Sequence, residues 1–162
     1  MKALYILVLS FTFLLSCDRN EPNCCTIIDA VIDIQYKDVL GRDLLDQSKP
    51  YAYQFSAMEH YYIDSLGVVQ EGFHQSEHEK EMSLYFDIDS VNTLRVFPYR
   101  YYYKNGTMVL TDIIQLYELD SDTIVSEIVL TSNSQITKKV WYNGVLKYNY
   151  DTGDSRLFVI TK

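Results

Sequence analysis

From residue 26 onward, apolar and polar side chains alternate along the chain, and a period of two is the signature of a strand and not of a helix. In the first run Ile28, Ala30, Ile32, Ile34 and Tyr36 share one face, while Asp29, Asp33 and Gln35 share the other. Such a strand buries one face and wets the other. Similar runs cover residues 82–88, 93–103, 108–119, 123–131, 136–142, 145–150 and 157–161, and residues 61–70 are a further candidate. Residues 55–62 suit one or two helical turns and a strand equally well. No fixed-period repeat is visible, and no long stretch carries helical periodicity. The expectation is an all-β chain with a single antiparallel β-sandwich, immunoglobulin-like or transthyretin-like, of about 7–9 strands over residues 26–162, with a barrel as the alternative.

Turn chemistry sharpens this reading. Asn105-Gly106 and Asn143-Gly144 each lie between strand-like runs. Asn-Gly favours the two-residue type I′ hairpin because both central positions need positive φ. Asp120-Ser121-Asp122 and Asp151-Thr152-Gly153-Asp154 are expected as further turns, capped by their short side chains. Between the first two strands, Gly41 is expected to turn the chain, Leu44 and Leu45 to tuck under the sheet, and Pro50 to direct the chain away.

The first seventeen residues have a different composition. Lys2 precedes an apolar run over residues 3–15 that closes on Leu14-Leu15-Ser16-Cys17. A cationic start, a short apolar middle and a small residue before the cut describe a secretory signal. The run is too short to span a bilayer comfortably, which takes about 20 apolar residues. Leu14-Leu15-Ser16-Cys17 resembles the lipobox of bacterial lipoproteins. That resemblance implies a lipoprotein signal peptide over residues 1–16, acylation of Cys17 as the mature N-terminus, and an acylated tether over residues 17–25. Residues 38–51 also resemble an Asp-x-x-Gly-x-Asp-Leu-Leu-Asp/Asn-Pro segment of small uncharacterised lipoproteins of the Gram-negative envelope, with Gln47 where those chains often carry proline. Together the resemblances imply a lipid-anchored protein of the bacterial cell envelope, at the outer membrane, with no cofactor besides the covalent lipid on Cys17. They imply no activity.

A formal net charge of −8 argues against nucleic acid and against electrostatic adhesion to anionic lipid, so the acyl chains must supply the membrane contact. Within the polar stem, Cys24 and Cys25 are neighbours. Adjacent Cα atoms sit about 3.8 Å apart, closer than the roughly 4.4–6.8 Å of ordinary disulfides. A strained vicinal bond, an intermolecular bridge and free thiols all stay open. The pair supplies too few ligands for a metal, and no Cys-x-x-Cys pattern occurs.

His74 and His78, beside Glu77 and Glu79, have the spacing that places two imidazoles on one helix face, as a divalent metal site requires. Their wholly charged surroundings favour a loop, so no metal site is expected. Asp87, Asp89 and Asn92 offer alternating oxygens but lack the glycine and distal glutamate of a calcium loop, which favours a strand-to-turn transition with side-chain capping. Asp29 and Asp33 offer a carboxylate pair of the kind glycoside hydrolysis uses, although carboxylates on an exposed strand face are ordinarily just solvated. No Gly-x-Ser-x-Gly elbow and no Gly-rich phosphate loop is present, so no enzyme is expected.

Aromatic content is the positive signal, with fifteen tyrosines and a single Trp141. Phe97, Tyr99, Tyr101 and Tyr103 share one face and read as core, while Arg100, Tyr102 and Lys104 share the other. Tyr102, Trp141 and Tyr148 are the candidate ligand-binding residues, because exposed aromatic rings give large rigid contact area. The expected function is a protein-binding or assembly module of the cell envelope, with an unknown envelope protein as partner and no nucleic acid. The alternative is a glycan-binding accessory lipoprotein that stacks these rings on sugars. A hydrolase using Asp29 or Asp33 ranks third.

Overall fold

The computed structural model describes residues 27–64, 66–71, 81–87, 89–98 and 105–162. The signal segment, Cys17, the tether with Cys24 and Cys25, His74, His78, Tyr99, Tyr101, Tyr102 and Tyr103 lie outside the described residues.

The chain is all-β, with eleven strands among the described residues: β1 (Ile27–Asp29), β2 (Ile32–Lys37), β3 (Glu59–Ile63), β4 (Val69–Glu71), β5 (Met82–Phe86), β6 (Asn92–Val96), β7 (Gly106–Tyr117), β8 (Asp120–Leu130), β9 (Ser134–Tyr142), β10 (Val145–Asn149) and β11 (Leu157–Thr161). The count exceeds the expected 7–9 because two alternating runs each divide. The first leaves one sheet after Asp29 and joins the other at Ile32, with Ala30 buried at the crossing. The run over residues 61–70 folds back on itself as the β3–β4 hairpin. Residues 55–62 combine both readings, a 3₁₀ turn at Phe55–Ala57 followed by β3.

A seven-stranded sheet runs β1-β9-β8-β7-β3-β4, with β10 also on β9, and a four-stranded sheet runs β11-β2-β6-β5. Both sheets are open, so the barrel alternative is not what the described residues form. Nor are the sheets purely antiparallel, because β1 lies parallel to β9 and β11 parallel to β2. A chain that crosses from one sheet to the other continues in its direction of travel. It therefore meets its later neighbours in parallel, where a hairpin would have met them reversed.

One core receives side chains from both sheets. Ile32, Ile34, Tyr36, Leu94 and Val96 come from the small sheet, and Ile114, Leu116, Ile124, Val140 and Tyr142 from the large one. Leu44 and Leu45 do tuck beneath it, together with Met58. Leu45 and Met58 are fully buried, each contributing roughly 1.5–3 kcal/mol by its removal from water.

One turn design recurs three times. Asp38, Asp64 and Asp87 each accept, through Oδ1, from the backbone N–H two and four residues ahead, at 2.8–2.9 Å. The fourth position is left-handed in each loop: Gly41 at φ 78°, Gly67 at φ 77° and Ser90 at φ 59°. Glycine adopts that conformation without strain and serine does not. The reading of residues 87–92 as a side-chain-capped turn therefore describes what Asp87 does.

Asn143-Gly144 forms the expected type I′ hairpin between β9 and β10, with φ of 46° and 79°. Asn105-Gly106 does not join β6 to β7, since those strands lie in different sheets and Gly106 opens β7 at φ 141°. Asp120-Ser121-Asp122 is not a turn either. The chain reverses at Glu118-Leu119, and Asp120 already pairs with Tyr117 in β8. The turn over residues 151–154 forms as expected, with Asn149 Oδ1 accepting from Asp151 N and Gly153 left-handed at φ 72°.

Candidate functional site

The acidic residues singled out in the sequence are neutralised singly and not paired with each other. Asp29 ends β1 in the large sheet, where Arg156 grips both its carboxylate oxygens and its carbonyl. Asp33 belongs to β2 in the small sheet, where Arg95 binds it bidentately at 2.8 and 2.9 Å and stacks over the Tyr85 ring. Each carboxylate is thus committed to its own guanidinium, Asp33 within the small sheet and Asp29 to the residue that leads into β11 of the other sheet. The structure does not bring Asp29 and Asp33 together as an acid–base pair.

Two other acids, read in the sequence as turn residues, meet inside the molecule. Lys162 Nζ donates to Asp120 Oδ1 at 2.6 Å and to Asp122 Oδ1 at 2.8 Å. Tyr53 OH donates to Asp120 Oδ2 at 2.7 Å, Tyr36 OH donates to Asp122 Oδ2 at 3.3 Å, and Tyr142 OH donates to Tyr36 OH at 3.3 Å. Asn143 Nδ2 adds a further donor to Asp122 Oδ1 at 2.8 Å, so the β9–β10 turn is tied into the same network. Burial opposes charge on Asp120, yet the Lys162 and Tyr53 hydrogen bonds outweigh it and hold the carboxyl below its ordinary range. Burial likewise works against the Lys162 ammonium, and its two aspartate partners outweigh that and raise its pKa. Burial first, and the neighbouring carboxylates second, push the Tyr36 and Tyr53 hydroxyls up; for Tyr142, burial and then Tyr36 do the same. These phenols therefore stay protonated donors. The network is a clamp between the sheets.

A second buried contact is invisible in the sequence. His60 on β3 sets Nε2 2.9 Å from Asp112 Oδ1 on β7, with Glu81 Oε2 3.4 Å from its Nδ1. Among the described residues no group of three or more His, Cys, Asp or Glu side chains is placed to hold a metal ion.

The outward face of the large sheet carries the opposite chemistry. Register aligns Val69 with Ile63, Ile63 with Thr111, Thr111 with Val125, Val125 with Trp141, and Trp141 with Leu146. One cross-strand row therefore runs over six strands with Thr111 its only hydroxyl. A parallel row sets Tyr61 beside Ile113 and Ile113 beside Thr123. Below lies a charged row, Val109 beside Glu127 and Glu127 beside Lys139, with Lys139 Nζ 3.6 Å from Glu127 Oε1. Val69, Val109 and Leu146 are 54, 63 and 47% exposed, and Trp141 between Val125 and Leu146 is half-buried. Side chains on such a row cover one another and present a continuous apolar surface.

Of the three aromatic candidates, Trp141 lies on this face. Tyr148 is buried at 3% exposure, its hydroxyl accepting from Arg156 Nε at 3.2 Å, so its ring serves the core and the Asp29–Arg156 contact. Tyr102 lies outside the described residues. Val125 went unread as a neighbour of Trp141, and Ile63 as a member of the same row, since both are distant in sequence and only strand register joins them. The chain matches no family model, no curated protein and no solved structure.

Proposed function

We propose that this chain is a membrane-anchored lipoprotein, acylated at Cys17, that works as a protein-binding or assembly module of the bacterial cell envelope. The reading treats residues 1–16 as its signal peptide, places it at the outer membrane, and takes its two sheets as a sandwich of immunoglobulin-like or transthyretin-like kind. The observation that carries the function is the apolar row from Val69 to Leu146 on the outward face of the seven-stranded sheet. Contiguous exposed apolar surface of this kind marks contact with another macromolecule. The locked carboxylates, and the Tyr36, Tyr53 and Tyr142 hydroxyls held above their ordinary pKa, fit recognition better than turnover. Photocrosslinking in intact cells, from a benzophenone amino acid at position 125 of the anchored protein, tests the reading. A protein adduct of defined mass that disappears in Trp141→Glu is expected, and the absence of any protein adduct would overturn it. Loss of palmitate labelling and of membrane retention in Cys17→Ser checks the anchor separately.

The second reading, a glycan-binding accessory lipoprotein, has Trp141 in its favour, since an indole on a flat sheet face is a stacking platform for a sugar ring. Retardation in polysaccharide-containing native gels, abolished by Trp141→Ala, would favour it. Unchanged mobility across a broad panel removes it.

A further inference from the structure

We propose that the outward face of the seven-stranded sheet pairs with the same face of a second copy of this chain, about a two-fold axis running along the strands between β8 and β9. This rests on the recognition reading above and names its partner.

Charge complementarity selects both the partner and the axis. A two-fold along the strands keeps every cross-strand row opposite itself and exchanges strands on either side of the axis. With the axis between β8 and β9, Glu127 faces Lys139 of the second copy, and Lys139 faces its Glu127. The same operation sets Val125 against Trp141, Thr111 against Leu146, and Val129 against Ile136. Moving the axis onto β8 would oppose two copies of Glu127, and moving it onto β9 two copies of Lys139, each a like-charge contact. The face is thus self-complementary at one placement, as an isologous dimer requires.

Chain direction agrees with this symmetry. Ile27 N donates to Asn133 O at 2.9 Å, and β1 then runs parallel to β9, so the N-terminal segment meets the sheet at its β8–β9 turn end. An axis along the strands brings that end of both copies to the same side, where two chains anchored in one membrane must have it. An axis across the strands would send the two segments in opposite directions.

Size predicts a reversible contact. At this placement four strand positions face a counterpart, β7, β8, β9 and the position shared by β10 and β1; at about 4.8 Å per strand by about seven residues at 3.3 Å they give roughly 440 Å² per copy, or about 900 Å² in total. That falls just short of the roughly 1,000 Å² of a stable specific interface and marks a weak, transient contact. Confinement of both copies to one membrane would raise their effective concentration and favour the pair.

Sedimentation equilibrium of the purified full chain in mild detergent tests the pairing. The expected result is a monomer–dimer equilibrium that Trp141→Glu abolishes. Glu127→Lys or Lys139→Glu alone should raise the dissociation constant at least about tenfold, and the Glu127→Lys, Lys139→Glu double variant should return it to within about threefold of wild type. Thermal unfolding of each variant verifies that it is folded. A wild type that stays monomeric up to about 1 mM overturns the proposal, as does a dimer indifferent to all four variants. A monomer that still forms the photocrosslinked protein adduct overturns the pairing alone, so the two readings fail separately.

Discussion

The two sheets turn opposite chemistries outward. On the four-stranded sheet the polar side chains turned away from the core satisfy one another: Asp33 binds Arg95, Arg95 stacks on Tyr85, and Gln35 Nε2 donates to Asp87 Oδ2 at 2.6 Å and Thr93 Oγ1 at 3.3 Å, with Val159 beside Gln35 an exposed apolar exception. On the seven-stranded sheet the corresponding positions hold Val69, Ile63, Val125, Trp141 and Leu146. Alternation makes a face outward in both cases, while register decides whether that face is saturated. A saturated face contributes to the stability of its own sheet, and an apolar one contributes most when something covers it.

Substitutions can break or sharpen this contrast. The largest effect should come from Asp122→Ala, which removes the acid shared by both sheets, leaves the Tyr36 hydroxyl without its acceptor and leaves Lys162 with Asp120 alone. A loss of about 3 kcal/mol in urea unfolding is expected, as for breaking a buried pair. Arg95→Ala should come next, costing about 2 kcal/mol because it strips a bidentate partner from half-buried Asp33. Trp141→Ala should cost only about 1 kcal/mol in the monomer, its ring being half-buried, while removing recognition. Equal losses from Arg95→Ala and Trp141→Ala, with recognition intact, would erase the distinction between the faces.

The clamp adds a pH signature. Asp120 is lowered from its ordinary 3.8, so its contribution is present above that value and is lost as pH falls through the folded-state pKa. Lys162 is raised from 10.5, so its contribution is present below that value and is lost as pH rises through the folded-state pKa. Replacing Lys162 by Met should flatten both limbs of a stability–pH curve, and a curve of unchanged shape would count against the clamp. The smallest effect belongs to the recurring loops: Ser90→Gly should be neutral or stabilising by up to about 1 kcal/mol in thermal unfolding, since Ser90 holds the left-handed position that Gly41 and Gly67 fill elsewhere.

Much of the β-structure was legible because it depends on neighbours in sequence. The strands of residues 108–119, 123–131 and 157–161 appear close to their alternating runs, and Asn143-Gly144 turns as its φ preference demands. Asp38, Asp64 and Asp87 share a local spacing that would have marked the breaks at residues 64–68. What stayed hidden depends on distant chain. Nothing near Ala30 announces a change of sheet, and Asp120-Ser121-Asp122 has turn composition although tertiary partners draw it into a strand. Trp141 was legible as an outlier, and Leu146 faces it across the Asn143-Gly144 turn, but the rest of its row was not, because Val125, Thr111 and Ile63 join it only through pairing with distant chain.

The parallel pairings have a consequence in time. β1 waits for β9, and one edge of β2 waits for β11; Arg156, just before β11, closes on Asp29 across 127 positions. Joining ends so far apart costs chain entropy before any contact repays it, which places such topologies among those that fold in milliseconds to seconds. The hairpins from β7 to β10 need no such wait. A chain emerging from its N-terminus must therefore keep β1 unpaired until β9 arrives and, with β2 already able to pair with β6, keep the other edge of β2 open until its last strand arrives.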